Sequence, residues 1–128
     1  MLVLVDTSVW IDHLRVSKPA LVELLDDDKV FCHPWVRGEL ALGSLKDGAN
    51  FLEMLSLLPT LQVIPHDEVM TFVERQALFS RGIGWVDAQL LTACALWPCR
   101  LWTKDARLAQ IAQELRVGYD GHTPPVVA

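Results

Sequence analysis

Short apolar runs alternate with longer segments of mixed character along the chain. Such runs, rich in aliphatic residues, predict β-strands at Leu2 to Val5, Val30 to Cys32, Leu61 to Ile64 and Arg100 to Thr103, with a weaker candidate at Val117 to Tyr119. Strands that alternate with helices pair in parallel inside a sheet covered by those helices. The pattern therefore predicts an α/β fold with a central, mostly parallel sheet flanked by helices.

Helix boundaries are marked by residues that favour starts and stops. The starts are at Asp6-Thr7-Ser8, Pro34, His66-Asp67 and Asp105, and the stops at Gly43, Gly82 and Gly118. The segment 87–97 is apolar on nearly every side apart from Gln89 and Thr92, which is typical of a helix buried against a sheet. Because no repeat or linker interrupts the pattern, we expect one domain over residues 1–128, with a core at about 2–117 and a tail at about 118–128.

Composition narrows the class of protein. With 128 residues and 52% apolar content, the chain can bury a core without disulfides or structural metals. Eleven basic and sixteen acidic residues give a net charge of −5, which argues against a protein that coats nucleic acid through diffuse positive charge but leaves room for RNA at a local basic rim. Cys32, Cys94 and Cys99 lack metal-ligand spacing, so we expect reduced, buried thiols.

The hydrophobic pattern predicts neither a signal peptide nor a membrane-spanning segment. The first apolar run stops at Asp6, which is too short for the core of a signal peptide. Elsewhere no apolar stretch approaches the roughly 20 residues that cross a bilayer. The sequence therefore predicts a cytoplasmic protein without a membrane segment.

Four carboxylates stand where a ligand site of an open α/β sheet is expected. Asp6 directly follows the first strand, and Asp105 lies two residues beyond the fourth, so both belong near the carboxyl edge. Asp87 opens the buried helix. On a helical wheel Glu39 falls inside the apolar stripe of helix 35–42, where an unpaired charge is costly.

Each carboxylate also has a structural explanation. The three aspartates can cap or favour the start of a helix, and Glu39 can form a buried ion pair with an arginine as readily as bind a metal. Together, however, clustered carboxylates repel one another unless a cation is bound. An all-oxygen set suits Mg²⁺ or Mn²⁺, whereas the four histidines show no ligand spacing and are expected to be structural or exposed.

Other polar residues have simpler interpretations. We expect Asp12 to form an exposed pair with Arg15 and Asp26 to Asp28 to be a solvated turn. Ser8 could bond a metal ligand or the attacking water, but capping of the first helix is enough to account for it. Most of the five tryptophans are expected in the core or at interfaces. Basic residues that could form a rim contacting phosphate are Arg15, Lys18, Arg37, Arg81, Lys104 and Arg107.

Four motifs, in order, resemble those of PIN-domain proteins, in particular the VapC toxins of bacterial type II toxin–antitoxin systems. The opening, residues 4–14 (LVDTSVWIDHL), is similar to the first motif of that family. The other three are Gly38-Glu39-Leu40 with Gly43, Val86-Asp87-Ala88 with Thr92-Ala93, and the segment 101–105 (LWTKD). The resemblance runs from about residue 2 to 117.

The resemblance implies a metal-dependent endoribonuclease. In that family, residues matching Asp6, Glu39, Asp87 and Asp105 hold Mg²⁺ or Mn²⁺, and Thr103 is a polar helper. It also implies a VapB-like antitoxin, whose basic side chain enters the acidic site, and a homodimer. Many relatives carry an acidic or amide residue two places after the last aspartate, where this chain has Arg107, so a second metal position is in doubt and Arg107 could contact phosphate.

Two other classes of function remain open at the level of sequence. An aspartate phosphoryl-transfer protein also has Asp after its first strand, but a phosphatase of that class needs another Asp where Ser8 stands, and a receiver domain needs its acceptor where Pro65-His66 stands. A noncatalytic PIN-like binding module would keep the fold without metal binding. Trapping of an aspartyl phosphate distinguishes the first class, and titration with metal the second.

Overall fold

The computed structural model describes residues 1–120. Within this range three strands and seven helices follow one another along the chain. In order, they are β1 (Leu2–Val5), α1 (Thr7–Arg15), α2 (Pro19–Asp26), β2 (Val30–Phe31), α3 (Pro34–Ala41), α4 (Gly48–Ser56), α5 (His66–Arg75), α6 (Trp85–Leu96), β3 (Cys99–Trp102) and α7 (Ala106–Glu114). The expected tail beyond residue 120 lies outside the described residues.

The sheet is parallel and has β1 in the middle, in the order β2-β1-β3. Val3 is in register with Val30 on one side and with Arg100 on the other. Isolated parallel bridges extend the two edges, from Cys32 to Thr60 and from Leu101 to Gly118. The predicted α/β fold with a parallel sheet is confirmed, and all strands end at the same edge.

The prediction of a strand at Leu61 to Ile64 is wrong. The Gln89 side chain of α6 accepts a hydrogen bond from the Ile64 N–H at 2.7 Å and donates one to the Ile64 carbonyl at 3.1 Å. A buried side-chain amide thereby satisfies the backbone groups that a neighbouring strand would otherwise pair. The candidate at Val117 to Tyr119 is reduced to the single bridge at Gly118.

The predicted buried helix is confirmed as α6. Its residues from Ala88 to Cys94 are buried, including the two polar ones, Gln89 and Thr92. Thr92 donates its hydroxyl proton to the Ala88 carbonyl at 2.7 Å, so it needs no external partner. Gly82, however, does not stop a helix, since α5 already ends at Arg75. The glycine lies in the loop before α6 with a φ of +80°.

The core lies on both faces of the sheet and holds β1 in position. Val3, Leu4 and Val5 are all fully buried, as is Trp10 of α1. Among the other tryptophans, Trp102 is buried, whereas Trp85 and Trp97 are 37% and 46% exposed. Burial of consecutive strand residues on both faces holds the carboxyl end of β1 firmly in place. Within residues 1–120, no helix has both the length and the apolar character to cross a membrane.

Candidate active site

Asp6 is the most enclosed of the four carboxylates. It leaves β1 at the carboxyl edge of the sheet and is 7% exposed. Its Oδ2 accepts hydrogen bonds from the hydroxyls of Ser8 at 2.7 Å and Thr103 at 2.8 Å. Asp6 is the N-cap residue of α1, but its side chain makes no capping hydrogen bond. The hydroxyls therefore position this carboxylate, and helix capping does not account for it.

Ser8 and Thr103 connect the ends of β1 and β3. The Ser8 hydroxyl accepts a hydrogen bond from the Lys104 N–H at 3.0 Å, and the Thr103 hydroxyl accepts one from the Asp105 N–H at 3.1 Å. Because each hydroxyl accepts from the backbone and donates to Asp6, its proton is directed at the carboxylate. The sequence favours a capping role for Ser8 and allows a bond to a candidate metal ligand. The structure shows a bond to Asp6, together with one to Lys104 that the sequence does not indicate.

Asp105 and Asp87 each use one oxygen at a helix start. Asp105 Oδ1 accepts from the Leu108 N–H at 3.0 Å and caps α7. Asp87 Oδ2 accepts from the Gly84 N–H at 3.1 Å in front of α6. The capping interpretation is therefore correct for both residues. It involves one carboxylate oxygen of each, and a carboxylate has further lone pairs with which to bind a ligand.

Glu39 is exposed, so the prediction that it lies in a buried stripe is wrong. The buried residues of α3 are Val36 and Leu40. Leu42, an apolar residue at the end of the predicted helix 35–42, is 91% exposed. Glu39 instead reaches across to α1, where its Oε1 accepts a hydrogen bond from the Thr7 hydroxyl at 2.7 Å. Within the described residues it forms no ion pair with an arginine.

The four carboxylates share one electrostatic environment. Burial raises the pKa of Asp87, the Gly84 N–H partly opposes that rise, and the negative charges of Asp6, Asp105 and Glu39 raise the pKa further. Residues from four separate parts of the chain therefore act on a single carboxyl group. Charge repulsion of this kind is relieved when a cation binds among the carboxylates.

The donor set at this edge consists of carboxylate and hydroxyl oxygens. In residues 1–120 no three acidic, imidazole or thiol groups lie close enough together, as the side chains stand, to hold a metal ion. Glu39 is turned toward Thr7 and Asp87 toward Gly84. Binding would therefore require the carboxylates to converge. Oxygen donors fit Mg²⁺ or Mn²⁺, and the chemistry of the set agrees with such an ion.

The histidines in the described residues have structural contacts, as predicted. His33 is fully buried and accepts from the Trp35 N–H at 3.0 Å, His13 accepts from the Lys18 N–H at 3.0 Å, and His66 packs on the Trp85 ring. Burial lowers the pKa of His33, so it stays neutral. His122 lies outside the described residues.

Comparison with known proteins decides the family. The PIN-domain model matches residues 3–114. A protein of Mycobacterium tuberculosis strain H37Rv named Ribonuclease VapC32 is 51% identical over 114 residues, which are 88% of this chain and 92% of the relative. The protein of the same name from strain CDC 1551 matches equally well. The chain belongs to the VapC group of PIN-domain proteins.

The PIN fold is also found by comparison of structures. The crystal structure of PAE2754 from Pyrobaculum aerophilum superposes with a TM-score of 0.59, covering 91% of this chain and 90% of the other. Sequence identity to it is 17%, so this likeness concerns the fold alone. The four motifs that carry the resemblance to VapC proteins, including their acidic residues, all lie within residues 3–114, which the PIN-domain model matches.

Basic residues of this VapC protein flank Asp105 on both sides. Lys104 forms an ion pair with Asp12 at 3.0 Å, and Lys18 forms one with the same carboxylate at 2.5 Å. The predicted Asp12 pair with Arg15 is therefore wrong, since both partners of Asp12 come from outside α1. These two lysines lower the pKa of Asp12.

Arg107 of this VapC protein is exposed and packs on the loop before α6. A Cβ atom at Gly82 would lie 2.6 Å from Arg107 Nη1, so only glycine allows the guanidinium this position. Arg81, in contrast, is engaged by Glu114 at 2.6 Å. Of the basic residues predicted to form a rim, Lys18, Arg81 and Lys104 are therefore held in ion pairs, whereas Arg107 packs against Gly82.

Proposed function

We propose that this protein is the toxin of a toxin–antitoxin system and cleaves RNA in the cytoplasm as a Mg²⁺- or Mn²⁺-dependent endoribonuclease. Membership in the VapC group and relatives named as ribonucleases support the reaction class. The observation that carries the proposal is the hydrogen-bond network at the carboxyl edge of the sheet, in which the Thr103 hydroxyl joins Asp6 Oδ2 to the Asp105 N–H. A capping role for each residue separately would not require this network.

In this proposal Asp6, Glu39, Asp87 and Asp105 hold the metal. When bound, a divalent ion activates water as a nucleophile and stabilises negative charge that develops on the phosphate. Thr103 and Ser8 keep Asp6 oriented through their hydroxyl protons. No protein side chain has to attack the phosphodiester, and the nucleophile is water.

The basic rim binds the substrate backbone. Lys104 precedes Asp105 in the sequence, and Arg107 follows it by two positions. Lysine and arginine contact phosphate oxygens without reading the base sequence, and such local contacts suffice despite a net charge of −5. Arg107, held over Gly82, takes the place where a further carboxylate or amide would hold a second ion, which favours a single metal.

Two protein partners are part of the same proposal. A VapB-like antitoxin would place a basic side chain among the carboxylates, because an Arg fork binds two of them and competes with the metal. The chain would also form a homodimer. Exposed apolar side chains such as Leu42, at 91%, and Leu57, at 81%, give both partners surface to cover.

The proposal is tested with purified protein, total RNA, and Mg²⁺, Mn²⁺ or a chelator. We expect cleavage only with a divalent ion, giving products with 5′ phosphates, and mapping of the ends identifies the substrate. Asp27→Asn is a matched control, because Asp27 is an exposed acidic residue in the turn between α2 and β2, at the opposite edge of the sheet. Undiminished cleavage in chelator, or none with either ion, would contradict the proposal.

The other two classes give different outcomes in parallel assays. A small phosphodonor that leaves an acid-stable phosphate on Asp6 would favour aspartate phosphoryl transfer. Folded protein that gives no heat with millimolar Mg²⁺ or Mn²⁺ in calorimetry would favour a noncatalytic module. Light scattering of the purified chain tests the homodimer.

A further inference from the structure

Two of the cysteines lie side by side at the opposite edge of the sheet from the carboxylates. Cys94 lies in α6, and Cys99 begins β3, in register with Leu2. Their Sγ atoms are 3.4 Å apart, and the residues are 3% and 5% exposed. β3 runs away from this pair toward Thr103, so the thiols and the candidate active site occupy the two ends of one strand.

The distance places the sulfurs within reach of a covalent bond. A disulfide has an S–S length of about 2.05 Å, so the sulfurs need to approach by roughly 1.4 Å. Of the four residues between the cysteines, Ala95 and Leu96 end α6, and Trp97 and Pro98 form the turn into β3.

The contact also affects the acidity of both thiols. The hydrogen bond between them lowers the pKa of Cys99 and raises that of Cys94. The thiolate is the nucleophilic form of cysteine, so the contact gives a thiolate of this pair a neighbouring thiol that can react with its oxidised product. Cys32 differs, since burial raises its pKa and its hydrogen bond is to the His33 carbonyl.

We propose that Cys94 and Cys99 form a reversible disulfide when the protein meets hydrogen peroxide. The thiolate of one of the two cysteines attacks one peroxide oxygen, the O–O bond breaks, and a sulfenic acid and hydroxide result. The sulfur of the other cysteine then attacks the sulfenic sulfur, the S–O bond breaks, and water leaves as the S–S bond forms. Overall two thiols lose two electrons and two protons, and hydrogen peroxide becomes two waters.

A groove gives a small oxidant access to the pair. It has a volume of about 510 Å³, and both cysteines line it together with Trp97, Arg100 and Arg116. Hydrogen peroxide is small enough to enter such a space. The carboxylates lie at the other edge of the sheet, so oxidation and metal binding can be measured separately.

The test counts thiols in the reduced, full-length protein before and after native treatment with hydrogen peroxide. After quenching and denaturation, we expect one titratable thiol where three were present. A peptide containing both Cys94 and Cys99 should be lighter by two hydrogens, and dithiothreitol should restore it. Retention of all three thiols under conditions that oxidise free cysteine, or pairing through Cys32, would overturn the proposal.

Matched variants complete the experiment. Cys32→Ala should still lose both remaining thiols, whereas Cys94→Ala should form no intramolecular bond and should carry Cys99 on to sulfinic acid. If Cys94→Ala does not fold, the peptide map of the wild type and the Cys32→Ala count decide the question. A disulfide within one chain of Cys94→Ala, which could join only Cys32 and Cys99, would contradict the proposed pairing. None of these readouts depends on ribonuclease activity.

Discussion

The inner and outer halves of the acidic site are positioned in different ways. In the inner half, Asp6 and Thr103 are 7% and 9% exposed and bonded to each other across two strands. In the outer half, Glu39 and Asp105 are exposed; the Glu39 carboxylate accepts from the Thr7 hydroxyl, and the Asp105 carboxylate accepts from the Leu108 N–H. The inner half is fixed by the fold, whereas the outer half is free to adjust to a ligand.

This difference explains how an acidic site can exist in a stable protein. Buried carboxylates are tolerated when strong donors satisfy them, and Asp6 has two hydroxyls for this purpose. Exposed carboxylates are solvated and need no such support. A cation would therefore meet one preorganised ligand, Asp6, and the exposed carboxylates would turn toward it.

The largest effect is expected at the inner half. Asp6→Asn keeps the size of the side chain but removes its charge, and RNA cleavage should fall by more than about 100-fold, beyond the usual cost of losing a supporting residue. Helicity by circular dichroism should not change. Raising the Mn²⁺ concentration should not restore activity, because the fixed ligand is missing. Cleavage at the wild-type rate would contradict the site.

A smaller and recoverable loss is expected at the outer half. Glu39→Gln removes a charge from an exposed, adjustable ligand, so cleavage should fall by about tenfold or somewhat more. Higher Mn²⁺ should recover much of that loss, since the change acts on metal affinity. A comparison of metal titrations for the two variants measures the contrast between the halves. Equal loss without recovery would show that Glu39 is as fixed as Asp6.

Sequence reasoning was most successful for the parallel sheet and for the placement of Asp6 and Asp105 at its carboxyl edge. Aliphatic runs mark buried strands directly, and a residue that follows such a run is placed at its end. The exposure of Glu39 could not be predicted reliably, because Leu42, which continues the apolar pattern at the end of α3, is itself exposed. Burial depends on which helix faces the core, and periodicity alone does not reveal an apolar residue left at the surface.

Contacts made by a side chain far along the sequence were also beyond prediction. Gln89 replaces a strand next to Ile64, and no pattern within Leu61 to Ile64 records that partner. Likewise, the approach of Cys94 to Cys99 depends on the turn between α6 and β3. A spacing of five residues is compatible with many other geometries.

Thr103 provides a test of the connection between the strands. Thr103→Val removes the hydroxyl that holds Asp6 Oδ2 and accepts from the Asp105 N–H, while it keeps the shape of the side chain. We expect about a tenfold loss of cleavage, at the lower end for a residue that orients a metal ligand. Thr103→Ser should restore most of the activity. Failure of serine to do so would assign the effect to packing.

The smallest effect concerns stability without metal. Burial and neighbouring carboxylates raise the pKa of Asp87, so its ionised form destabilises the native state. The native protein binds more protons than the unfolded one, and this destabilisation is absent below the ordinary value of about 3.9 and fully present above the raised pKa. Asp87→Asn should therefore raise the melting temperature in chelator by a few degrees at neutral pH.

Two controls accompany that measurement. The gap between variant and wild type should shrink as the pH is lowered through the raised pKa, and added Mn²⁺ should stabilise the wild type more than the variant. A melting temperature that falls at neutral pH would mean that the Asp87 charge is stabilised by its contact with the Gly84 N–H more strongly than it is repelled.

The register of β1 also determines when the acidic site can assemble during synthesis. Val3 pairs with Val30 early in the chain and with Arg100 near its end, and Asp6 receives its second hydroxyl from Thr103. A chain emerging from the ribosome exposes its N-terminal strand first, and contacts of such wide separation close late. β1 can pair with β3, its second neighbour in the sheet, only after most of the polypeptide has been synthesised. For the proposed nuclease, the acidic site is incomplete until the codon for Asp105 has been translated.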